Sequence, residues 1–174
     1  MIFVAALSQA QNTPVRSLYT IAQMRVENIA QRDLWEFMCD LRNEARYYPG
    51  IEEVVLLREG PAGVCSAGTI YLQATGENAQ NEITILEADA PHYIVIKSTN
   101  TAMPDISYIA TFYFAPTEAP NATSYTLIAT LNDDTATPDD LIATHDNFLQ
   151  QLLAALNTTG SITINNTFYI DAVE

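Results

Sequence analysis

The chain has 174 residues, of which 48% are hydrophobic and 16% charged. That is the size and composition of one domain with a real hydrophobic core, and it excludes a disordered tail. Asp and Glu outnumber Lys and Arg 21 to 7, a formal net charge of −14, which repels phosphate backbones and anionic lipid and so disfavours nucleic-acid partners and polybasic membrane binding.

The N-terminal MIFVAALSQAQ has the short apolar run and small-residue end of a signal peptide but no basic n-region. It reads as a structural extension covering residues 1–17. Leu18 to Val26 reads as a first strand. Asn28 offers an N-cap for a short helix from about Ala30, with Leu34, Trp35, Phe37, Met38 and Leu41 on its apolar side. NEARYYPG continues for one or two helical turns and is stopped by Pro49-Gly50.

A ladder of short strands separated by turn signals follows, the pattern of an antiparallel meander. The strands are Ile51 to Arg58, Gly68 to Thr75, Asn81 to Ala88, His92 to Thr99, Ile106 to Ala115 and Ser124 to Leu131. In the last two, Tyr108, Ala110, Phe112 and Phe114, then Tyr125, Leu127, Ala129 and Leu131, form one face by strict alternation. Cys39 and Cys65 have no CxxC spacing. Buried thiols are the default reading, and sequence distance alone does not decide against a bridge.

Pro138 to about Asn157 is the one long helix. Leu141, His145, Phe148, Leu149, Leu152 and Leu156 recur at steps of three, four and seven on one stripe. Thr137 suits the N-cap, Pro138 the first helical position, and Asp139 and Asp140 the positive end of the dipole. A single amphipathic helix after antiparallel strands has the concave face of the sheet as its docking surface. SITINNTFYI, beyond the helix, is one further strand. It could extend the sheet edge or pair with the N-terminal segment of the same chain or of a neighbour.

This order of elements resembles the helix-grip fold of the START/Bet v 1-like (SRPBCC) superfamily, and within it the polyketide cyclase/dehydrase and lipid transport group. The resemblance is carried by Val26-Glu27-Asn28 leading to Leu34-Trp35-Glu36-Phe37, by Asp40, and by Tyr47 to Val54 (YYPGIEEV). Gly68 and the run Ile85 to Pro91 (ILEADAP) also match. It covers Leu18 to Asn157. Residues 1–17 and 158–174 are additions, and Tyr47 and Tyr48 stand where many members carry a tryptophan. The resemblance implies an α+β fold, with a curved antiparallel sheet of about seven strands wrapped around the long C-terminal helix and two short helices after strand one. It also implies a ligand-binding domain over residues 18–157, and a deep apolar cavity for a hydrophobic small molecule.

Within that cavity, His145 could serve as general acid or base, or be a core histidine satisfied by a neighbour. Tyr108 and Tyr125 are candidate polar contacts to a carbonyl or enolate oxygen, or simply core tyrosines. Tyr47, Tyr48, Tyr71, Phe112, Phe148, Leu149 and Leu152 are candidate ligand contacts. Asp40 and Glu44, four apart, read as a solvated helix face with Arg42 and Arg46 as possible partners. No nucleophile elbow, phosphate loop, dinucleotide fingerprint or zinc motif is present, and with two histidines no metal or other cofactor is expected. The expected activity is that of a cyclase-like enzyme folding a polyketide-type intermediate, with a non-catalytic carrier or receptor as the alternative. A homodimer through the terminal extensions and a cytoplasmic location, with secretion open, complete the expectations. A cavity below about 300 Å³ would instead favour an interaction domain.

Overall fold

The computed structural model describes residues 16–76, 79–119, 121–133 and 135–171. Apart from its last two residues, the expected N-terminal extension lies outside these. The elements are β1 (Arg16–Val26), α1 (Gln31–Cys39), a 3-10 helix (Leu41–Arg46), β2 (Ile51–Arg58), β3 (Ile70–Thr75), β4 (Ala79–Asp89), β5 (Tyr93–Asn100), β6 (Ser107–Pro116), β7 (Thr123–Asn132), α2 (Pro138–Ala155) and β8 (Gly160–Asp171). The eight strands form one antiparallel sheet in the order β2-β3-β4-β5-β6-β7-β1-β8. This is the expected helix-grip architecture, with the C-terminal strand added at the edge.

Alternation decides which face is buried. Ala110, Phe112 and Phe114 on β6, Tyr125, Leu127 and Ala129 on β7, and Ala22, Met24 and Val26 on β1 are all inside, and the core continues through Ile94 and Ile96 to Ile83 and Ile85. Burying every second residue leaves the other face wet, as the half-buried period of these strands requires. Helix α2 lays Leu141, His145, Phe148, Leu149, Leu152 and Leu153 against this face. Leu153 takes the place expected of Leu156, which serves as the C-cap and is only partly buried. At the other end Thr137 Oγ1 accepts from the Asp140 amide at 3.2 Å, while the Asp140 carboxylate accepts from the Thr137 amide at 3.1 Å. This reciprocal capping box starts the helix at Pro138.

Three local expectations are corrected. Asn28 does not cap α1: it sits at φ 58°, turning the chain out of β1, and the N-cap is Ala30, with no side-chain cap. Gln31 anchors the start of the helix instead, donating to the Pro91 and Phe114 carbonyls at 3.2 and 2.8 Å. Second, Cys39 and Cys65 are joined in a disulfide rather than standing as thiols, because the end of α1 meets the β2–β3 connection with Cα atoms 5.2 Å apart. Third, β3 begins at Ile70 rather than Gly68. Gly68 lies at φ 85°, and the Thr69 hydroxyl is held in the preceding turn by the Gly60 amide and the Gly63 carbonyl.

Of the partners open to the last strand, β8 takes β1 of the same chain, running antiparallel from Arg16↔Asp171 to Val26↔Gly160. It enters so closely that a Cβ on Gly160 would overlap the Arg25 carbonyl oxygen. No helix among the described residues is long and apolar enough to cross a membrane.

Candidate functional site

Helix α2 does not fill the space beneath its first three turns. A cavity of about 320 Å³ remains between α2, the 3-10 helix and strands β3 to β7, just above the ~300 Å³ at which small-molecule sites begin. Its wall is mostly apolar, with Ile83, Ile96, Phe112, Leu127, Leu141 and Phe148 prominent. Besides Thr75, Ser98, Asp140 and Thr144 on its lining, two buried, hydrogen-bonded polar stations interrupt it.

The first is Tyr108 with His145. Tyr108 stands on β6 in the row Ile83↔Ser98↔Tyr108↔Leu131, which lies under the N-terminal half of α2. Its hydroxyl is 3.2 Å from His145 Nε2. His145 is 1% exposed, and loss of hydration, which disfavours the imidazolium, lowers its pKa to about 4. The ring is therefore neutral at pH 7. His145 Nδ1 is buried without a partner, so the Tyr108 hydroxyl is the hydrogen-bond partner the ring has among the described residues. Burial holds the Tyr108 phenol well above its ordinary 10, with the nearby Tyr48, Tyr125 and Glu44 adding to the effect.

The second station is Glu44, 5% exposed. Its Oε2 accepts from Gln73 Nε2 at 2.7 Å, Gln73 Oε1 accepts from Asn81 Nδ2 at 3.0 Å, and Asn81 Oδ1 accepts from Asn100 Nδ2 at 3.4 Å. Asn100 Oδ1 closes the chain by accepting the Ala102 and Met103 amides. Cross-strand register makes this relay possible, since Gln73↔Asn81 and Asn81↔Asn100 are paired residues of β3, β4 and β5. Burial raises the Glu44 carboxyl to about 7, against the opposing pull of the Gln73 amide.

Glu44 corrects the solvated reading of the Asp40–Glu44 pair. An α-helical step of four would put both on one face. The chain there is a 3-10 helix with three residues per turn, which aligns Leu41, Glu44 and Tyr47 instead. All three are buried. The signal lay in that three-residue spacing of Leu41 and Tyr47 around the acid. Asp40 does stay near the surface, ion-paired with Arg42 at 2.6 Å, whereas Arg46 lies over the Phe37 ring at 5.0 Å.

Of the candidates from sequence, Tyr108, His145, Tyr47, Tyr48, Phe112 and Phe148 line the cavity together. Tyr71, Tyr125, Leu149 and Leu152 are fully buried but are not part of its wall. The Tyr71 hydroxyl donates to the Val64 carbonyl at 3.2 Å. Tyr125 is paired with Phe114, three inward-facing positions along β6 from Tyr108. Its ring stacks on Phe112 at 6.1 Å, and its hydroxyl is buried without a partner. Leu149 and Leu152 pack into the core under the second half of α2. No cluster of His, Cys, Asp or Glu among the described residues has the arrangement of a metal site.

No protein-family model and no curated protein matches the chain. Solved structures do. A START superfamily protein from Mycobacterium smegmatis aligns with a TM-score of 0.61 at 11% identity, over 79% of this chain and 94% of that one. Major latex-like protein 151 from Panax ginseng aligns with a TM-score of 0.58 at 13% identity, over 79% and 96%. DynU16, a protein of the dynemicin biosynthetic locus, aligns with a TM-score of 0.58 at 13% identity, over 79% of this chain and 47% of that chain. At such identities the likeness concerns architecture alone, and on that level it is plain: the chain has the START/Bet v 1-like fold.

Proposed function

We propose that the cavity binds a hydrophobic small molecule, and that the protein is a cyclase-like enzyme holding a flexible polyketide-type intermediate in the conformation that leads to ring closure. The observation that carries this reading is the Tyr108–His145 pair, hydrogen-bonded at 3.2 Å on a mostly apolar wall. A mostly apolar wall gathers a flexible chain into a reactive conformer. Ring closure between a carbon nucleophile and a carbonyl develops negative charge on oxygen. A phenol whose own oxygen is supported by His145 Nε2–H can donate its proton to that charge. In the other tautomer, with the hydrogen on Nδ1, Nε2 is a neutral base that can accept a proton through the phenol.

A non-catalytic carrier or receptor is the second reading, favoured by the extent of the unreactive wall formed by Ile83, Ile96, Phe112, Leu127 and Phe148. Incubation with poly-β-ketone thioester analogues, followed by mass spectrometry, separates the two. Conversion supports the enzyme, and recovery of bound, unchanged ligand supports the carrier. If it is an enzyme, Tyr108→Phe lowers turnover roughly 100-fold or more, with the folded state intact. Unchanged turnover would remove Tyr108 from the mechanism.

A further inference from the structure

The ring-closure chemistry uses Tyr108 and His145 and leaves Glu44 without a task. Yet Glu44 is a carboxyl group inside an apolar cavity, and its surroundings are lopsided. Gln73 Nε2 is the one hydrogen-bond donor to its side chain among the described residues. Among the described residues, no lysine or arginine lines the cavity. Arg42 and Arg46, on the same 3-10 helix, are engaged by Asp40 and by Phe37 with Asn43. The other titratable groups around Glu44 are neutral or acidic. They are Tyr47 and Tyr48 beside it, Tyr71 on β3, Tyr108 on β6, Tyr125 on β7, and His145 and Asp140 on α2. An anionic ligand head would meet two carboxyl groups here and no counter-charge.

What the site offers is the opposite. Tyr47, Tyr48 and Phe148 line the same cavity as Glu44, with the Phe148 ring 5.6 Å from that of Tyr47 and 5.2 Å from that of Tyr48. Aromatic faces next to a carboxylate attract a cation from two sides, through the ring quadrupole and through charge pairing, and more strongly where water is excluded. A buried carboxylate that lacks its own cation is stabilised most by a ligand that brings one.

We infer that the ligand is an apolar molecule bearing a single cationic nitrogen, which docks against the Glu44 carboxylate between Tyr47, Tyr48 and Phe148. The inference rests on the ligand-binding reading of the cavity and does not depend on whether the ligand is cyclised. It makes Glu44 the residue that sets specificity, with the Gln73–Asn81–Asn100 relay fixing its orientation from behind.

The test uses three probes with one apolar body, phenylbutylamine, phenylbutanol and phenylbutanoate, titrated calorimetrically into the whole protein. The amine is expected to bind about tenfold or more tighter than the alcohol, and the carboxylate weakest. Glu44→Gln should abolish the amine's advantage over the alcohol. Below pH 7 the wild-type protein should also release a proton as the amine binds, seen as a dependence of the heat on the buffer's ionisation enthalpy, and the variant should not. Equal or tighter binding of the alcohol or carboxylate, or amine affinity unmoved in Glu44→Gln, overturns the inference and leaves the ligand-binding reading standing. Failure of all three probes to bind overturns both.

Discussion

Replacing Glu44 with Gln should change how stability depends on pH, by an amount the structure allows to be worked out. In the folded protein Glu44 titrates at about 7, against an ordinary 4.5. Its folded pKa is therefore raised, so the native state holds a proton that the unfolded chain has already lost between those values. The stabilisation is complete below pH 4.5 and is lost as pH rises through 7. Two and a half pH units at about 1.4 kcal/mol each make this roughly 3 kcal/mol. His145 works in the other direction. Its folded pKa is lowered from 6.5 to about 4, so the unfolded chain holds the extra proton and stability falls as pH drops from 6.5 towards 4. Across the shared window from 4.5 to 6.5 the two slopes oppose one another, and the wild-type contribution of the pair is nearly flat. Glu44→Gln removes one slope and keeps an acceptor for Gln73. The difference in unfolding free energy, variant minus wild type, should then rise by about 3 kcal/mol from pH 4.5 to pH 7 and level off above it. For a domain of this size that corresponds to roughly 6–12 °C in Tm. Urea unfolding at half-unit pH intervals measures it, and background titrations common to both proteins cancel in the difference. A difference curve that is level across this range would refute the claim that Glu44 is buried and desolvated.

Three further outcomes bear on the scaffold. Reducing the Cys39–Cys65 bridge, which closes a loop 26 residues apart in sequence, should lower unfolding free energy by about 3–4 kcal/mol on the chain-entropy estimate, and urea unfolding with and without reductant checks it. Gly160→Ala forces a Cβ onto the Arg25 carbonyl, a backbone group with little freedom to yield. A loss of about 1–3 kcal/mol with faster amide exchange along β8 is expected, and hydrogen-exchange mass spectrometry reads both. Thr137→Ala breaks the capping box at the start of α2 and should cost about 1 kcal/mol, seen as a lower Tm, with ligand affinity in the cavity below that helix end as a second readout.

The architecture could be read from the sequence because its signals are periodic. The strand alternation from Tyr108 to Phe114 and from Tyr125 to Leu131, and the three-four spacing of Leu141, His145, Phe148 and Leu152, each specify one buried face, and the structure buries those faces. The tyrosines show where periodicity stops. Tyr108 and Tyr125 share an inward parity, but parity does not say how far along the strand the cavity extends, so one lines it and the other does not. Glu44 shows a different limit. Whether Leu41 to Arg46 winds with three or nearly four residues per turn decides between core and solvent for the acid, and six residues are too few for propensity to choose. The disulfide likewise depended on a distance across the fold rather than on spacing along the chain.

Strand β1 lies between β7 and β8, so Arg16 pairs with Asp171 and Val26 with both Thr123 and Gly160. A chain emerging from the ribosome therefore carries its first described strand unpaired while β2 to β6 are made. No local hairpin can shield it, because its neighbours begin only at Thr123 and Gly160. Pairing of β1 is consequently a long-range event, slow in the manner of such topologies, and the strand is open to a chaperone throughout the wait.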